Sequence, residues 1–178
     1  MRKLFFALFL TLLAATAVAM RDARPFPRAA GRSVQFEGAV QVQGAPAAEI
    51  YARANHWARQ FFVSSRRVVR SSGGQKDAML LRATYSEPYG HGAVASFIWF
   101  HFTLSIRAEK GVCRWSITRI TVSTVDTPEQ PIEDALSPSG FGVGDQKAPF
   151  EAFRRYLLGM TGQMANALQE RRRPLHGR

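Results

Sequence analysis

Alternating apolar and polar residues mark the first element of the fold, a strand that begins at Val34. Its buried side is predicted to carry residues of one parity: Val34, Phe36, Val40 and Val42. Glutamine and glutamate occupy most of the other parity, as expected for a strand with one face in solvent. Pro46 then supplies a favourable first position for a helix over residues 47–62. Apolar residues at spacings of four, three and four give that helix one buried stripe: Ile50, Ala54, Trp57 and Phe61.

About four strands are predicted after this helix, and turns rather than long crossovers separate them. A short strand at Val68–Val69 precedes longer strands over 78–86, 93–107 and 112–125. The dipeptide Lys110–Gly111 is predicted to close a hairpin between the last two. Neighbouring strands are therefore antiparallel, which indicates an α+β fold rather than a parallel sheet.

The predicted hairpin also fixes which residues lie opposite each other. A two-residue turn places Ile106 beside Trp115 and Leu104 beside Ile117, so that apolar side chains meet on one face. The inward parity changes just after Ile117. This change predicts a β-bulge near Thr118–Arg119, where one extra residue reverses the alternation.

A second amphipathic helix is predicted from Pro149 onward, and Pro174 ends it. Its buried stripe comprises Phe150, Phe153, Leu157, Met160, Met164 and Leu168. Residues 126–147 form a long acidic loop rich in proline and glycine. These elements define a single domain over 34–173, followed by a tail at 174–178. Their order is strand, helix, four strands and helix, in an antiparallel sheet with both helices on one face.

Two stretches resemble a family of uncharacterised exported bacterial domains with a TBP-like fold. The first is EGAVQVQGAPAAEIYARANHWARQFF, residues 37–62, which is similar to the strand and aromatic helix that open the family. The second is HFTLSIRAEKGVCRWSITRITV, residues 101–122, which is similar to its later hairpin. The resemblance implies a TBP-like β-α-β4-α fold and no assigned activity. The acidic loop at 126–147 is longer than the family pattern leads us to expect.

The N-terminus has the pattern of a secretory signal peptide over residues 1–19. Arg2 and Lys3 precede an apolar run at 4–19 that ends with small residues at Ala17 and Ala19. Signal peptidase needs narrow side chains at these two positions, so cleavage is predicted before Met20. The alternative is an uncleaved anchor, although the run of 16 residues is shorter than the roughly 18 of a spanning helix. No later segment is apolar enough to predict a transmembrane span.

Basic residues dominate the charge of the chain, with 24 Lys and Arg against 13 Asp and Glu and a net charge of +11. Four arginines lie in residues 20–33, which are predicted to form a flexible basic leader. Such a balance favours anionic partners. Export to the periplasm or the extracellular space disfavours nucleic acid and favours an anionic envelope component or another envelope protein.

No motif predicts catalysis, a cofactor or a metal. The four histidines, at 56, 91, 101 and 176, include no pair with metal-ligand spacing on one element. No nucleophile elbow, phosphate-binding loop or dinucleotide fingerprint occurs. Cys113 is the only cysteine, and its place in an alternating run predicts a buried, inert thiol. An interchain disulfide and a catalytic thiolate are the alternatives.

The sheet face opposite the helices carries the residues with the most binding chemistry. By parity these candidate binding residues are Arg82, Trp99, His101, Arg107 and Arg114. The predicted register places two of these arginines opposite each other, which is unfavourable unless solvent or an anion compensates. A solvated polar face is the alternative interpretation. Aromatic residues at 97 and 99 favour a binding surface.

Three hypotheses of function follow. The leading one is a non-catalytic binding or interaction module that holds an anionic or amphipathic ligand on the open sheet face, or in a groove between sheet and helices. The second is a structural or assembly subunit that contacts another envelope protein. The third is an enzyme without a recognisable motif.

Overall fold

The computed structural model describes residues 26, 33–62, 77–89, 96–137, 139–140 and 147–170. The sequence patterns account for most of the elements in these ranges. The elements are β1 (Phe36–Gln41), α1 (Ala47–Phe61), β2 (Ala78–Tyr89), β3 (Ser96–Glu109), β4 (Val112–Thr124), β5 (Gln130–Pro131), α2 (Ile132–Ala135) and α3 (Lys147–Gln169).

The sheet is antiparallel and has the strand order β1-β4-β3-β2. The short strand β5 pairs with β4 at Thr121 and Val122, further along the same strand that β1 accompanies at 112–117. Among the described residues, four strands lie between α1 and α3, in an α+β fold, and three of them (β2, β3 and β4) are predicted ones. The strand expected at Val68–Val69 lies outside the described residues, and β5 was not predicted.

The predicted register between β3 and β4 is confirmed. Ile106 pairs with Trp115 and Leu104 pairs with Ile117. The turn between these strands has Gly111 at a φ of 79°, a left-handed conformation that glycine adopts without a Cβ penalty. This turn keeps the apolar residues of both strands on one face of the sheet.

The predicted bulge is also present. His101 pairs with Thr121, and Thr103 pairs with Thr118. The interval between the two pairs is therefore two residues long on β3 and three residues long on β4. Arg119 lies between the two pairs with a φ of 53°. The extra residue reverses the alternation, and Ile120 is therefore buried alongside Ile117.

Both long helices pack on one face of the sheet. The buried stripe of α3 is the predicted one, and α1 buries Ile50, Ala54, Trp57 and Ala58. Arg53 of α1 connects the two helices, because its Nη1 donates a hydrogen bond to the backbone carbonyl of Leu168 in α3 at 2.6 Å. Within α1, its Nη2 forms an ion pair with Glu49 at the i,i+4 spacing that favours such pairs. Aromatic rings fill the space beneath α3, where Phe153 stacks on Phe100 with ring centroids 4.4 Å apart.

Two segments that were predicted as loop or leader contribute to this core. The acidic stretch 126–147 includes β5 and α2, and α2 buries Ile132 and Ala135 completely. In the basic leader, Phe26 is 4% exposed and packs against the rings of Phe36, Phe150 and Phe153. The predicted signal peptide, its cleavage site and the tail at 174–178 lie outside the described residues.

Candidate functional site

The candidate site is the sheet face that α1 and α3 leave uncovered, here named the open face. Strand alternation turns every second residue of β2, β3 and β4 toward it. Along β3 the open face has three zones that follow one another. They are an arginine zone at Arg107, a hydroxyl zone at Thr103 and Ser105, and an aromatic zone at Phe97 and Trp99.

In the arginine zone, Arg107 lies directly opposite Arg114, as predicted. Both side chains are exposed. The Nε of Arg114 lies 3.3 Å from a carboxylate oxygen of Glu109, in an ion pair between two exposed groups that contributes little stability. Arg82 shares the open face but pairs with Thr103, four residues away from Arg107 on β3. The structure therefore brings two of the three predicted arginines together and places the third along the face.

The hydroxyl zone is built from pairs of serines and threonines that face each other across strands. Ser105 pairs with Ser116, and Thr103 pairs with Thr118. All four lie on the outward side by strand parity, but Thr103 is only 6% exposed, so the accessible hydroxyls are those of Ser105, Ser116 and Thr118. A hydroxyl both donates and accepts, so this zone can match a ligand that alternates donors and acceptors.

His101 lies within the hydroxyl zone rather than beside a carboxylate. It pairs with Thr84 on β2 and with Thr121 on β4, and its Nδ1 lies 2.9 Å from the Thr84 hydroxyl. The Thr121 hydroxyl in turn donates to Glu129. Among the described contacts, the hydrogen bond of His101 is thus to a hydroxyl and not to the carboxylate that general acid–base chemistry would use.

The aromatic zone lies at the other end of the face. Phe97 is 44% exposed, and its ring centroid lies 6.4 Å from that of Trp99. Pro88 of β2 pairs with Phe97. Val125 is 70% exposed and follows Thr124, which pairs with Ile98, so it lies at the same end of the sheet. Phe97 and Val125 are the large apolar residues that the described part of the chain exposes.

Sequence reasoning identified Trp99 and Phe97 but missed Pro88 and Val125. Strand parity identifies outward residues only within a strand whose pairing is known. Val125 lies one residue beyond the end of β4, so parity does not assign it to a face. Pro88 was missed because proline is a poor strand former. In the sequence, Val125 directly precedes Asp-Thr-Pro, a turn-forming stretch, which indicates that the strand ends at this valine.

Glutamates share the face with the arginines. Besides Glu109, Glu37 of β1 accepts a hydrogen bond from the side chain of Gln35 at 3.1 Å, and Glu129 accepts from Thr121. The arginine zone thus combines Arg107 and Arg114 with Glu109 and keeps a net positive charge.

Cys113 and two tyrosines lie on the covered side of the sheet. Burial raises the pKa of the Cys113 thiol to about 12, and the side chain has no solvent exposure. Burial raises the pKa of Tyr156 to about 12 as well. The pKa of Tyr85 is raised by burial and by its hydrogen bond to Glu87.

In the described ranges, no group of three His, Cys, Asp or Glu side chains comes together as metal ligands would. No described helix is long and apolar enough to cross a membrane.

Comparison with known structures supports the fold alone. A DUF4468 family protein from Bacteroides ovatus is 15% identical, with a TM-score of 0.65 over 85% of this chain and 95% of its own. A TBP-like protein from Parabacteroides distasonis is also 15% identical, with a TM-score of 0.65 over 83% of this chain and 99% of its own. At this identity a shared fold does not transfer a function.

The family assignment comes from the sequence. No curated protein matches the chain. The family described as "Domain of unknown function (DUF4468) with TBP-like fold" matches residues 36–123, from the start of β1 to one residue before the end of β4. These are the strands that form the open face, together with α1. Residues 36–123 therefore match the DUF4468 family of TBP-like domains, whose function is unknown.

Proposed function

We propose that this chain is an exported, non-catalytic binding module whose open face holds an anionic or amphipathic ligand. One observation carries the proposal: the outward face of β3 presents Phe97 and Trp99 at one end of the strand and Arg107 at the other. Exposed aromatic side chains favour contact with apolar groups, and guanidinium groups favour carboxylates and phosphates. A ligand with both kinds of group can use both ends of the strand.

The packing on the other side of the sheet favours the open face over a groove beneath the helices. Phe100, Phe102 and Phe153 are at most 2% exposed, and their rings occupy the space between β3 and α3. A ligand there would have to displace a stacked aromatic core, at a cost of several kcal/mol. The open face needs no such rearrangement.

The arginine pair adds an energetic reason for an anion. Like charges directly opposite in an antiparallel sheet destabilise it. Glu109 compensates Arg114 in part. An anion bound between Arg107 and Arg114 would reduce the repulsion between the two guanidinium groups and would accept charge-assisted hydrogen bonds from them.

Export rests on the N-terminal sequence. Two basic residues, a 16-residue apolar run and alanines at 17 and 19 are the features of a cleaved signal peptide. An exported basic domain meets anionic cell-surface polymers and lipid headgroups, which agrees with the chemistry of the open face.

Native mass spectrometry of the full chain, made with its own N-terminus and recovered from the envelope fraction of a bacterial host, tests the proposal. We expect a mass that begins at Met20 with a bound species. The species should be lost in the double variant Arg107→Glu, Arg114→Glu and retained in the control Arg59→Glu, Arg155→Glu, which makes the same charge change at exposed helical positions.

Other outcomes overturn parts of the proposal. A mass that still includes residues 1–19 contradicts cleavage. A bound species that survives in the open-face variant contradicts the site. A second protein at fixed stoichiometry, lost when Phe97 and Trp99 are replaced by serine, would support the alternative of an assembly subunit, which the exposed Phe97 and Val125 favour.

A further inference from the structure

The order of the three zones along β3 restricts the kind of ligand that fits. Arg107 and Trp99 are eight residues apart, which is about 27 Å in an extended strand. The residues of the same parity between them are polar: Ser105 and His101 are partly exposed, and Thr103 is buried. A ligand that reaches both ends must therefore cross a surface of hydroxyl groups.

From this order we infer that the ligand is an extended acidic polysaccharide strand, an inference that rests on the proposed function and names its ligand class. Sugar hydroxyls donate and accept as serine and threonine hydroxyls do, so a saccharide can replace the water on this zone with hydrogen bonds of its own. The carboxylates of the polymer pair with Arg107 and Arg114, and a ring face stacks on Trp99.

A lipid fits the same surface poorly. An acyl chain laid from Trp99 toward Arg107 would cover the hydroxyls of Ser105, Ser116 and Thr118 and leave them without water, at a cost for each buried polar group.

The hydroxyl pairs extend across strands as well as along them. Ser105 and Ser116 lie opposite each other, and Thr84, His101 and Thr121 form a row over three strands. The hydrogen bond between Thr84 and His101 orients that row. A polar face that spans three strands accommodates a chain lying on it, whereas a small anion would use only the arginine pair.

Titration calorimetry of the full chain tests the inference with three named probes. They are a galacturonate hexamer, the neutral hexamer maltohexaose, and vesicles of phosphatidylglycerol. We expect the acidic hexamer to bind, and its affinity to fall as salt rises. Maltohexaose should bind at least about tenfold more weakly, because it makes no charge-assisted contact with the arginines.

Variants locate the contacts. Arg107→Gln with Arg114→Gln, and separately Trp99→Ala, should each weaken binding of the acidic hexamer about tenfold or more. Trp99→Tyr should restore most of the loss because it keeps a ring. Arg59→Gln with Arg155→Gln is the matched control and should bind as the unchanged chain does.

The outcomes separate this inference from the proposed function. Vesicles that bind through Phe97 and Trp99 while both hexamers fail would overturn the polysaccharide and keep the binding module. Equal binding of the two hexamers would overturn the acidic ligand. If hexamers and vesicles all fail, and the open-face variants leave the native mass spectrum unchanged, both the inference and the proposed function are wrong.

Discussion

Gly38 of β1 lies directly opposite Trp115 of β4, and the indole ring occupies the space that a side chain at position 38 would need. A Cβ at Gly38 would lie 2.6 Å from Cζ2 of Trp115, a distance at which an atom must move. Trp115 is 4% exposed and belongs to the hydrophobic core, so its ring has little room to yield.

Gly38→Ala should therefore lower the free energy of unfolding by about 1–3 kcal/mol, as overpacking of a core does. Urea denaturation followed by tryptophan fluorescence measures the change. Gly159→Ala is the control, because a Cβ at this exposed position in α3 meets nothing within 4 Å and alanine favours helix. If Gly38→Ala is as stable as Gly159→Ala, the indole is not held against β1.

The bulge predicts a pair of substitutions with opposite effects. Arg119 adopts a left-handed conformation with a φ of 53°, which costs a residue with a Cβ about 1–2 kcal/mol. Arg119→Gly should thus raise the free energy of unfolding by about 1 kcal/mol. The same change in regular strand, Arg82→Gly, should lower it by about 0.5–1 kcal/mol. Thermal unfolding of the two variants tests this, and a loss of stability in both would contradict the bulge at this position.

The alternating pattern was sufficient to predict the central hairpin. A two-residue turn and a period of two fix the register between Ile106 and Trp115 once the turn is located, because any slip of one residue would expose the apolar face. The break in parity after Ile117 predicted the bulge for the same reason. The open face followed from these two facts, since parity assigns each residue to one side.

Local pattern did not predict contacts that depend on distant parts of the chain. Phe26 is a single aromatic residue among arginines and prolines, and only the rings contributed by β1 and α3 make it a core residue. The helix α2 spans four residues, too few for periodicity to show, and Glu133 accepts a hydrogen bond from the backbone of Val34, 99 residues away. Such elements are stabilised by tertiary packing rather than by propensity.

The buried ring of Phe26 gives a test of that packing. Phe26→Ala should lower the free energy of unfolding by about 3 kcal/mol, because it leaves a cavity between Phe36 and Phe153. Phe97→Ala removes the same ring from the open face, where it is 44% exposed, and should change stability by less than about 1 kcal/mol. Chemical denaturation compares them. Equal stability of the two variants would show that residue 26 is not part of the core.

The covered face predicts a loss of stability at alkaline pH. Cys113 has its pKa raised from an ordinary value of 9.0 to about 12, and Tyr156 from 10.0 to about 12, in both cases because burial disfavours the charged form. The unfolded chain releases these protons at the lower values while the folded chain keeps them. The folded state then binds more protons, so the free energy of unfolding falls as pH rises from about 9 to 12 and is unaffected by these groups below that window.

Denaturation at a series of pH values from 7 to 11 checks this sign, with the slope rather than the absolute stability as the readout. Cys113→Ala with Tyr156→Phe removes two of the three groups and should flatten the alkaline decline, although Tyr85, whose pKa is also raised, retains part of it. The buried thiol should also resist alkylation at pH 8 until the chain unfolds, whereas rapid labelling of the folded protein would contradict the burial of Cys113.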